Sequence, residues 1–149
     1  MHSRYDGGVV MNKILCAFVA LVMIVSVFGG CGNGDTAQNL WDSAIYTTDT
    51  EIGEGSKTIE LEIVAEDKSV TVTIHTDKDN LEEALSEHKL ISGEKGPYGM
   101  YVKFVNGIMA DYDTNKCYWG LSKGGEYMTT GVSDTAVADG EHYEFTYTK

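Results

Sequence analysis

The sequence predicts an α+β fold: a small mixed β-sheet with one helix packed across it, behind an N-terminal targeting segment and a flexible tether. Three observations predict it. Residues 57–76 alternate between apolar and polar side chains, residues 79–91 change to a helical period, and residues 99–149 return to short alternating segments separated by glycine-containing turns. The 93 residues from 57 to 149 are enough for one modest core without disulfides.

The targeting segment precedes all of these elements. Residues 14–28 form a run of 15 apolar or small residues without a charge, and Lys13 stands directly before it. A transmembrane helix needs about 20 such residues. The run is therefore typical of a secretory signal peptide, which we assign to residues 1–30. Met11 alone can begin such a signal, so we expect it, rather than Met1, to be the true start.

The end of the apolar run indicates lipidation. Cys31 directly follows two glycines, and this arrangement resembles the bacterial lipobox, in which the cysteine is acylated and becomes the new N-terminus. Phe28 stands where the lipobox usually has an aliphatic residue. We expect a lipid anchor at Cys31 to hold the chain on the outer face of the cytoplasmic membrane, in a Gram-positive bacterium. The alternative is an ordinary signal peptide with a cysteine nearby by chance.

Residues 31–56 have the composition of a flexible tether. They are rich in Gly, Thr and Asp and show no period. Trp41, Ile45 and Tyr46 are unusual in a pure linker, and the sequence leaves open whether they dock on the folded domain, which we assign to residues 57–149.

The first strands of the domain follow at once. Two alternating runs are separated by the turn-like segment 65–69, so they predict a strand–turn–strand pair with one apolar and one polar face. The apolar positions are Ile59, Leu61 and Ile63 in the first run and Val70, Val72 and Ile74 in the second.

A short helix comes next. Leu81, Ala84, Leu85 and His88 lie at positions i, i+3, i+4 and i+7, which is one face of a helix. Asp79 or Asn80 can cap its start, and acidic residues in the first turn favour this end. Residues 92–99 are predicted to be a loop.

Three turn signals divide the C-terminal half into hairpins. They are Asn106-Gly107, Gly124-Gly125 and Asp139-Gly140. The last strand has Tyr143, Phe145 and Tyr147 on one face, and we expect this face to pack on the core. The element order is thus β-β-α followed by three or four β segments, a β-grasp-like arrangement.

Composition and motifs exclude several classes of function. The net charge of −12 disfavours a nucleic-acid partner. No metal spacing relates His75, His88 and His142, and Cys117, the last cysteine of the mature chain, is expected in the core. Residues 111–115 begin like a calcium loop, but the glycine and glutamate that such a loop needs at its sixth and twelfth positions are missing. We therefore predict no enzyme, no metal site and no cofactor.

The C-terminal half resembles a known family. The segments GPYGMYVKFVNGIMADYD, YWGLSKGGEYMTTGV and DGEHYEFTYTK are similar to the C-terminal domain of transcobalamin and intrinsic factor, and more closely to bacterial surface relatives of that domain. The most specific positions are Tyr118, Trp119 and Leu121 together with Gly131, Val132, Asp139, Gly140 and Glu141. The resemblance spans roughly residues 57–149.

The resemblance implies binding of a small ligand without catalysis. The implied ligand is cobalamin or another corrinoid, bound as one half of a two-part site because no helical barrel accompanies the domain here. The residues that correspond to ligand-facing parts are Tyr98, Met100, Tyr127 and Met128. From the residues alone, the methionines could equally be core filler. The alternative function is a protein-interaction or adhesion module of the cell envelope.

Overall fold

A computed structural model describes residues 39–149 of the chain. The signal peptide, the start at Met1 or Met11 and the acylation of Cys31 lie outside the described residues and stay predictions. Within residues 39–149 there is no helix of the length and apolarity that a membrane crossing requires.

The larger of two sheets is mixed and has six strands in the order β1-β3-β2-β9-β7-β8. Strand β1 runs parallel to β3 and β2 runs parallel to β9, whereas the other neighbours are antiparallel. The predicted mixed sheet is therefore confirmed. Its strands are β1 (Thr50–Gly53), β2 (Lys57–Ala65), β3 (Lys68–Thr76), β7 (Tyr118–Lys123), β8 (Glu126–Tyr127) and β9 (His142–Thr148).

The hairpin of β2 and β3 forms the centre of the core. Leu61 pairs with Val72, and the other apolar pairs lie on the same face, as the alternation predicted. All six side chains are buried. Each such burial contributes about 1.5–3 kcal/mol of transfer free energy, so this face is the main source of stability.

Helix α1 (Leu81–Glu87) covers that face. Asn80 is the N-cap: its side chain accepts hydrogen bonds from the backbone N–H groups of Glu82 and Glu83. Leu81, Ala84 and Leu85 are buried. The helix connects the β2–β3 hairpin to strands that return to the same sheet, and β9 ends beside β2 in a parallel register. This connectivity is the predicted β-grasp-like arrangement.

A second, three-stranded sheet follows the helix in the chain. It contains β4 (Ile91–Gly96), β5 (Gly99–Val105) and β6 (Ile108–Met109), in that order. The prediction of a loop over residues 92–99 is wrong, because 92–96 pair with β5 across a tight turn. These residues are all exposed, so no apolar alternation marked them as a strand.

The predicted tether is too long at its C-terminal end, because residues 39–56 pack on the domain. Leu40–Ser43 form a 3-10 helix in which Trp41 is buried. Its indole Nε1–H donates to the Ala65 carbonyl at 3.2 Å, and the Lys68 ammonium lies 4.5 Å from the ring centroid. The question of docking is thereby answered for Trp41, and the folded part begins before residue 57.

The calcium-like segment is a short helix, α2 (Tyr112–Asn115). The Asp111 carboxylate caps it by accepting hydrogen bonds from the Asp113 backbone and the Thr114 hydroxyl. A further 3-10 turn at Val132–Asp134 lies against α1 and β5, and Cys117 is buried as expected.

Candidate functional site

A cleft of about 370 Å³ opens where strand β7 begins and strand β8 ends, on the side that faces β5. Sites for small molecules commonly have volumes of about 300–1,000 Å³. The wall is rich in tyrosine, methionine and threonine. The lining residues are Met100, Tyr101, Val102, Tyr112, Tyr118, Trp119, Leu121, Tyr127, Met128, Thr129, Thr130, Gly131, Val132 and Phe145.

The cleft lies at the edge of the large sheet rather than on one of its faces. Successive side chains of a strand point to opposite faces. Trp119 and Leu121 point to the core face, whereas Tyr118 and Tyr127 belong to the open face, since Tyr127 pairs with Ser122. Side chains from both faces can line one cleft only where the sheet stops.

The floor of the cleft is held in place by aromatic packing. Trp119 makes edge-to-face contacts with Phe145 and Tyr147, with ring centroids 6.3 Å and 5.4 Å apart. Its Nε1–H donates to the Ile108 carbonyl at 3.3 Å, so the polar atom of the buried indole has a partner. A ligand would therefore meet a surface that is already ordered.

The rim, by contrast, exposes four tyrosines. Tyr127 is 69% exposed, Tyr112 56%, Tyr101 48% and Tyr118 39%. The Tyr127 ring lies next to Gly120 of strand β7, where an added Cβ would come within 3.3 Å of the ring. Exposed aromatic rings with hydroxyl tips suit a planar ligand that is partly polar.

A hydrogen-bond network fixes Met100 at the opposite wall. Its backbone N–H donates to Ser133 Oγ at 2.8 Å, and the Ser133 hydroxyl donates to the Glu82 carboxylate. The amide of Asn80 donates to the Ser133 carbonyl at 2.5 Å. Gly99, with φ of +96°, leaves room for the hydroxyl, because a Cβ there would lie 2.4 Å from Ser133 Oγ. The network thus couples the start of α1 to the cleft.

Two lysines stand behind the rim tyrosines. The Lys103 ammonium lies 2.9 Å from Glu94 Oε1, 3.2 Å from Asp111 Oδ2 and 5.9 Å from the Tyr101 ring. Hydrogen bonds to these two carboxylates raise the pKa of Lys103. The Lys116 ammonium lies 5.1 Å from the Tyr112 ring. Since the carboxylates occupy Lys103, its charge stabilises the rim rather than facing a ligand.

Three of the four residues singled out in the sequence lie in this cleft. Met100, Tyr127 and Met128 line it, but Tyr98 does not: it occupies the turn between β4 and β5 and is 90% exposed. Whether the three bind a ligand stays a prediction. Sequence reasoning missed Tyr118, whose place opposite Trp119 in the strand alternation was the available signal.

The described residues provide no alternative centre for a metal. Across residues 39–149, no group of three His, Cys, Asp or Glu side chains has a metal-binding arrangement. His142 lies 3.1 Å from Glu60 and 3.4 Å from Glu62 on the open face of the sheet, and these are side-chain contacts between the neighbouring strands β9 and β2.

The chain is similar to one protein family and to solved protein structures. Residues 78–149 match the protein family described as "Domain of unknown function (DUF4430)". A crystal structure from Ruminococcus gnavus ATCC 29149, described as a "putative metal binding protein", is similar with a TM-score of 0.59 and 32% identity, over 63% of this chain and 98% of that chain. No curated protein sequence matches the chain.

Haptocorrin is a more distant likeness. In the crystal structure of its complex with Cbi, it is similar with a TM-score of 0.50 and 20% identity, over 66% of this chain and 26% of the haptocorrin chain. The chain therefore spans about a quarter of haptocorrin's length. At this identity the likeness shows a shared fold alone, which is the transcobalamin-like fold that the sequence resemblance implied.

Proposed function

We propose that the folded part of this chain, which belongs to the same family as the Ruminococcus gnavus protein and covers 98% of that protein's length, is a non-catalytic binding domain for a small planar ligand. The observation that carries the proposal is the cleft at the start of β7 and the end of β8. It combines an ordered aromatic floor with an exposed rim of tyrosines beside Met100 and Met128. Thioether side chains adapt their shape to apolar ligands.

We propose a corrinoid, such as cobalamin, as the ligand class. A corrin ring is flat, mostly apolar and carries amide groups at its edge, which matches tyrosine rings with hydroxyl tips. The fold shared with haptocorrin, whose crystal structure is of a complex with Cbi, supports this choice. We propose that the cleft covers one face of such a ring and that a partner protein supplies the second half of the site.

We also propose that the domain is presented at the cell surface. Acylation of Cys31 would hold it on the outer face of the cytoplasmic membrane of a Gram-positive bacterium. Each buried methylene of an acyl chain contributes about 0.8 kcal/mol, and two chains together give stable attachment. A Cys31→Ser variant should move from the membrane fraction to the soluble fraction, and its intact mass should lack the lipid. Membrane retention of this variant would contradict the anchor.

The ligand proposal is tested with the full-length chain and cobalamin. Trp119 lies in the floor of the cleft and Trp41 lies outside it, so quenching of fluorescence should persist in Trp41→Phe and be largely lost in Trp119→Phe. Equilibrium dialysis should show the affinity falling about tenfold or more in Tyr127→Ala.

The matched control is Tyr98→Ala, which removes another exposed tyrosine that lies outside the cleft. It should bind cobalamin like the unaltered chain. An equal loss in both variants, or no binding up to roughly 100 μM, would refute a self-sufficient corrinoid site.

A further inference from the structure

The backbone of the same cleft has hydrogen-bonding groups that the fold leaves unused. In an antiparallel sheet, the N–H and C=O groups of successive residues point alternately to the two neighbouring strands. The Gly124 N–H donates to the His142 carbonyl at 2.9 Å, so Ser122, Gly120 and Tyr118 direct their backbone groups to β9. Leu121 and Trp119 direct theirs to the other side.

On that other side the partner strand ends too early. The Met128 N–H donates to the Leu121 carbonyl at 2.9 Å, which confirms the alternation. Continuing the register would pair Trp119 with Thr130, but β8 ends at Tyr127 and the chain turns away. Among residues 39–149, no hydrogen bond satisfies the Trp119 N–H or C=O.

An unsatisfied donor and acceptor on a buried residue are unusual. More than nine in ten buried backbone groups have a partner in native proteins. Trp119 is 8% exposed and lines the cleft, and its two groups point to the side on which the pairing with β8 has ended. A bound molecule with the same spacing of N–H and C=O would satisfy both at once, and a peptide strand has that spacing.

Side chains around the edge also match a strand. A strand placed beside Trp119 directs successive side chains to opposite faces of the sheet. On one face they would meet Tyr118 and Tyr127, and on the other Met100 and Met128. On both faces of the sheet, an added strand would therefore find contacts for apolar or aromatic side chains.

We propose that this edge binds an extended peptide of net positive charge, which adds as a strand beside β7 and pairs with the backbone of Trp119. The positive charge of the peptide follows from charge complementarity with the domain as a whole. Residues 39–149 contain nine basic and 21 acidic side chains. About three residues of edge are free, a span of roughly 10 Å, so the peptide is short. The proposal concerns a second kind of occupant for the cleft and does not depend on corrinoid binding.

The free protein provides the first test. Amide hydrogen exchange of the full-length chain, followed by NMR, should show the Trp119 amide exchanging at least tenfold faster than that of Gly120, which bonds β9. Protection of Trp119 equal to that of Gly120 would overturn the proposal. Protection that grows with protein concentration would also overturn it, because a second copy would then be the occupant.

The second test supplies the peptide. The probe is a phage-displayed library of random heptapeptides, selected on the full-length chain and counter-selected on the Tyr118→Ala, Tyr127→Ala double variant. The enriched sequences should have successive apolar or aromatic residues flanked by basic ones, and the synthetic peptides should slow exchange of the Trp119 amide. Failure to enrich any peptide would overturn the proposal.

N-methylation of the selected peptide supplies the control. Methylating amides that face β7 should weaken binding about tenfold or more, whereas methylating the intervening amides should have little effect. Equal effects at every position would refute strand addition. Cobalamin titration of the same samples separates the outcomes: corrinoid binding without peptide binding overturns this inference alone, and the reverse overturns only a self-sufficient corrinoid site.

Discussion

Strands β2 and β7 belong to one sheet, but they differ in how far each is paired with its two neighbouring strands. Strand β2 is paired over nine residues with β3 and over five with β9. Strand β7 is paired over six residues with β9 but over only two with β8. Each strand buries one face, so the difference lies in backbone pairing. Stability should therefore depend on β2, and binding on the edge where pairing of β7 stops.

The largest expected effect is at the centre of β2. Leu61 is fully buried between β3 and β9. Leu61→Ala should lower the free energy of unfolding by about 4 kcal/mol, through lost transfer energy and the remaining cavity. Urea denaturation followed by circular dichroism measures this. Leu61→Met, which keeps the volume, should cost less than about 1.5 kcal/mol, and a similar loss in both variants would contradict the assignment of this site to the core.

Trp41 tests whether the segment before β2 is part of the same stable unit. Trp41→Ala should cost about 3 kcal/mol, since a large buried ring is removed. Trp41→Phe retains most of the packing but loses the hydrogen bond to Ala65, so we expect a loss of about 1 kcal/mol. Thermal or urea unfolding of both variants is the measurement. Unchanged stability in Trp41→Ala would show that residues 39–56 behave as a tether.

Ser133 lies between the two regions, and its substitution should affect both. Ser133→Ala removes the partner of the Met100 N–H and of Oε2 of Glu82, so we expect a loss of about 1–2 kcal/mol in unfolding free energy. Binding in the cleft should weaken as well, because Met100 is no longer held. Ser133→Thr keeps the hydroxyl and should restore binding. A destabilised protein with unchanged affinity would assign Ser133 a purely structural role.

The decrease in the free energy of unfolding at acid pH should depend on Glu141. Burial raises the pKa of its carboxyl, but contacts with Lys123, Tyr143 and the Ala138 N–H outweigh burial and lower it overall. The folded-state pKa lies below the unfolded value. The stabilisation is therefore complete above the ordinary value of 4.5 and disappears as the pH falls through the lowered value.

Glu141→Gln removes this titration while keeping the side chain's size. The difference in unfolding free energy between Glu141→Gln and the unaltered chain should be largest near pH 7 and should shrink below pH 4.5. Urea unfolding at several pH values measures it. A difference that does not change with pH would mean that the carboxylate is not linked to folding.

The smallest expected effect on stability is at the rim of the cleft. Tyr127 is 69% exposed, so Tyr127→Ala should change the unfolding free energy by less than about 0.5 kcal/mol. The same variant should lose ligand or peptide binding. If Tyr127→Ala instead destabilised the protein as strongly as Leu61→Ala, the division between a stabilising strand and a binding edge would be wrong.

Local signals predicted most of the fold. The alternation of β2 and β3, the cap and period of α1, and the turns at Asn106-Gly107 and Gly124-Gly125 all arise from neighbouring residues, and the structure confirms each of them. Strand β1 was missed because its parallel pairing with β3 joins residues about 22 positions apart. No local pattern records such a pairing.

The candidate site was predictable only in part. Met100, Tyr127 and Met128 were identified by resemblance and lie together in the cleft. The sequence did not distinguish Tyr98 from these three residues. Its position depends on the tight turn after β4, and β4 was not predicted because its residues lack an apolar alternation. The role of Ser133 depends on contacts with residues 33 and 51 positions earlier, which sequence spacing cannot show.

Strand β1 has a practical consequence for handling the protein. Its four residues cover part of the outer edge of β3, and uncovered edges of long, regular strands promote intermolecular β-pairing. A chain shortened to begin at residue 57 would expose this edge and also lose the Trp41 side chain from the core. We therefore expect such a truncated chain to aggregate during purification, whereas one beginning at residue 38 should stay monodisperse.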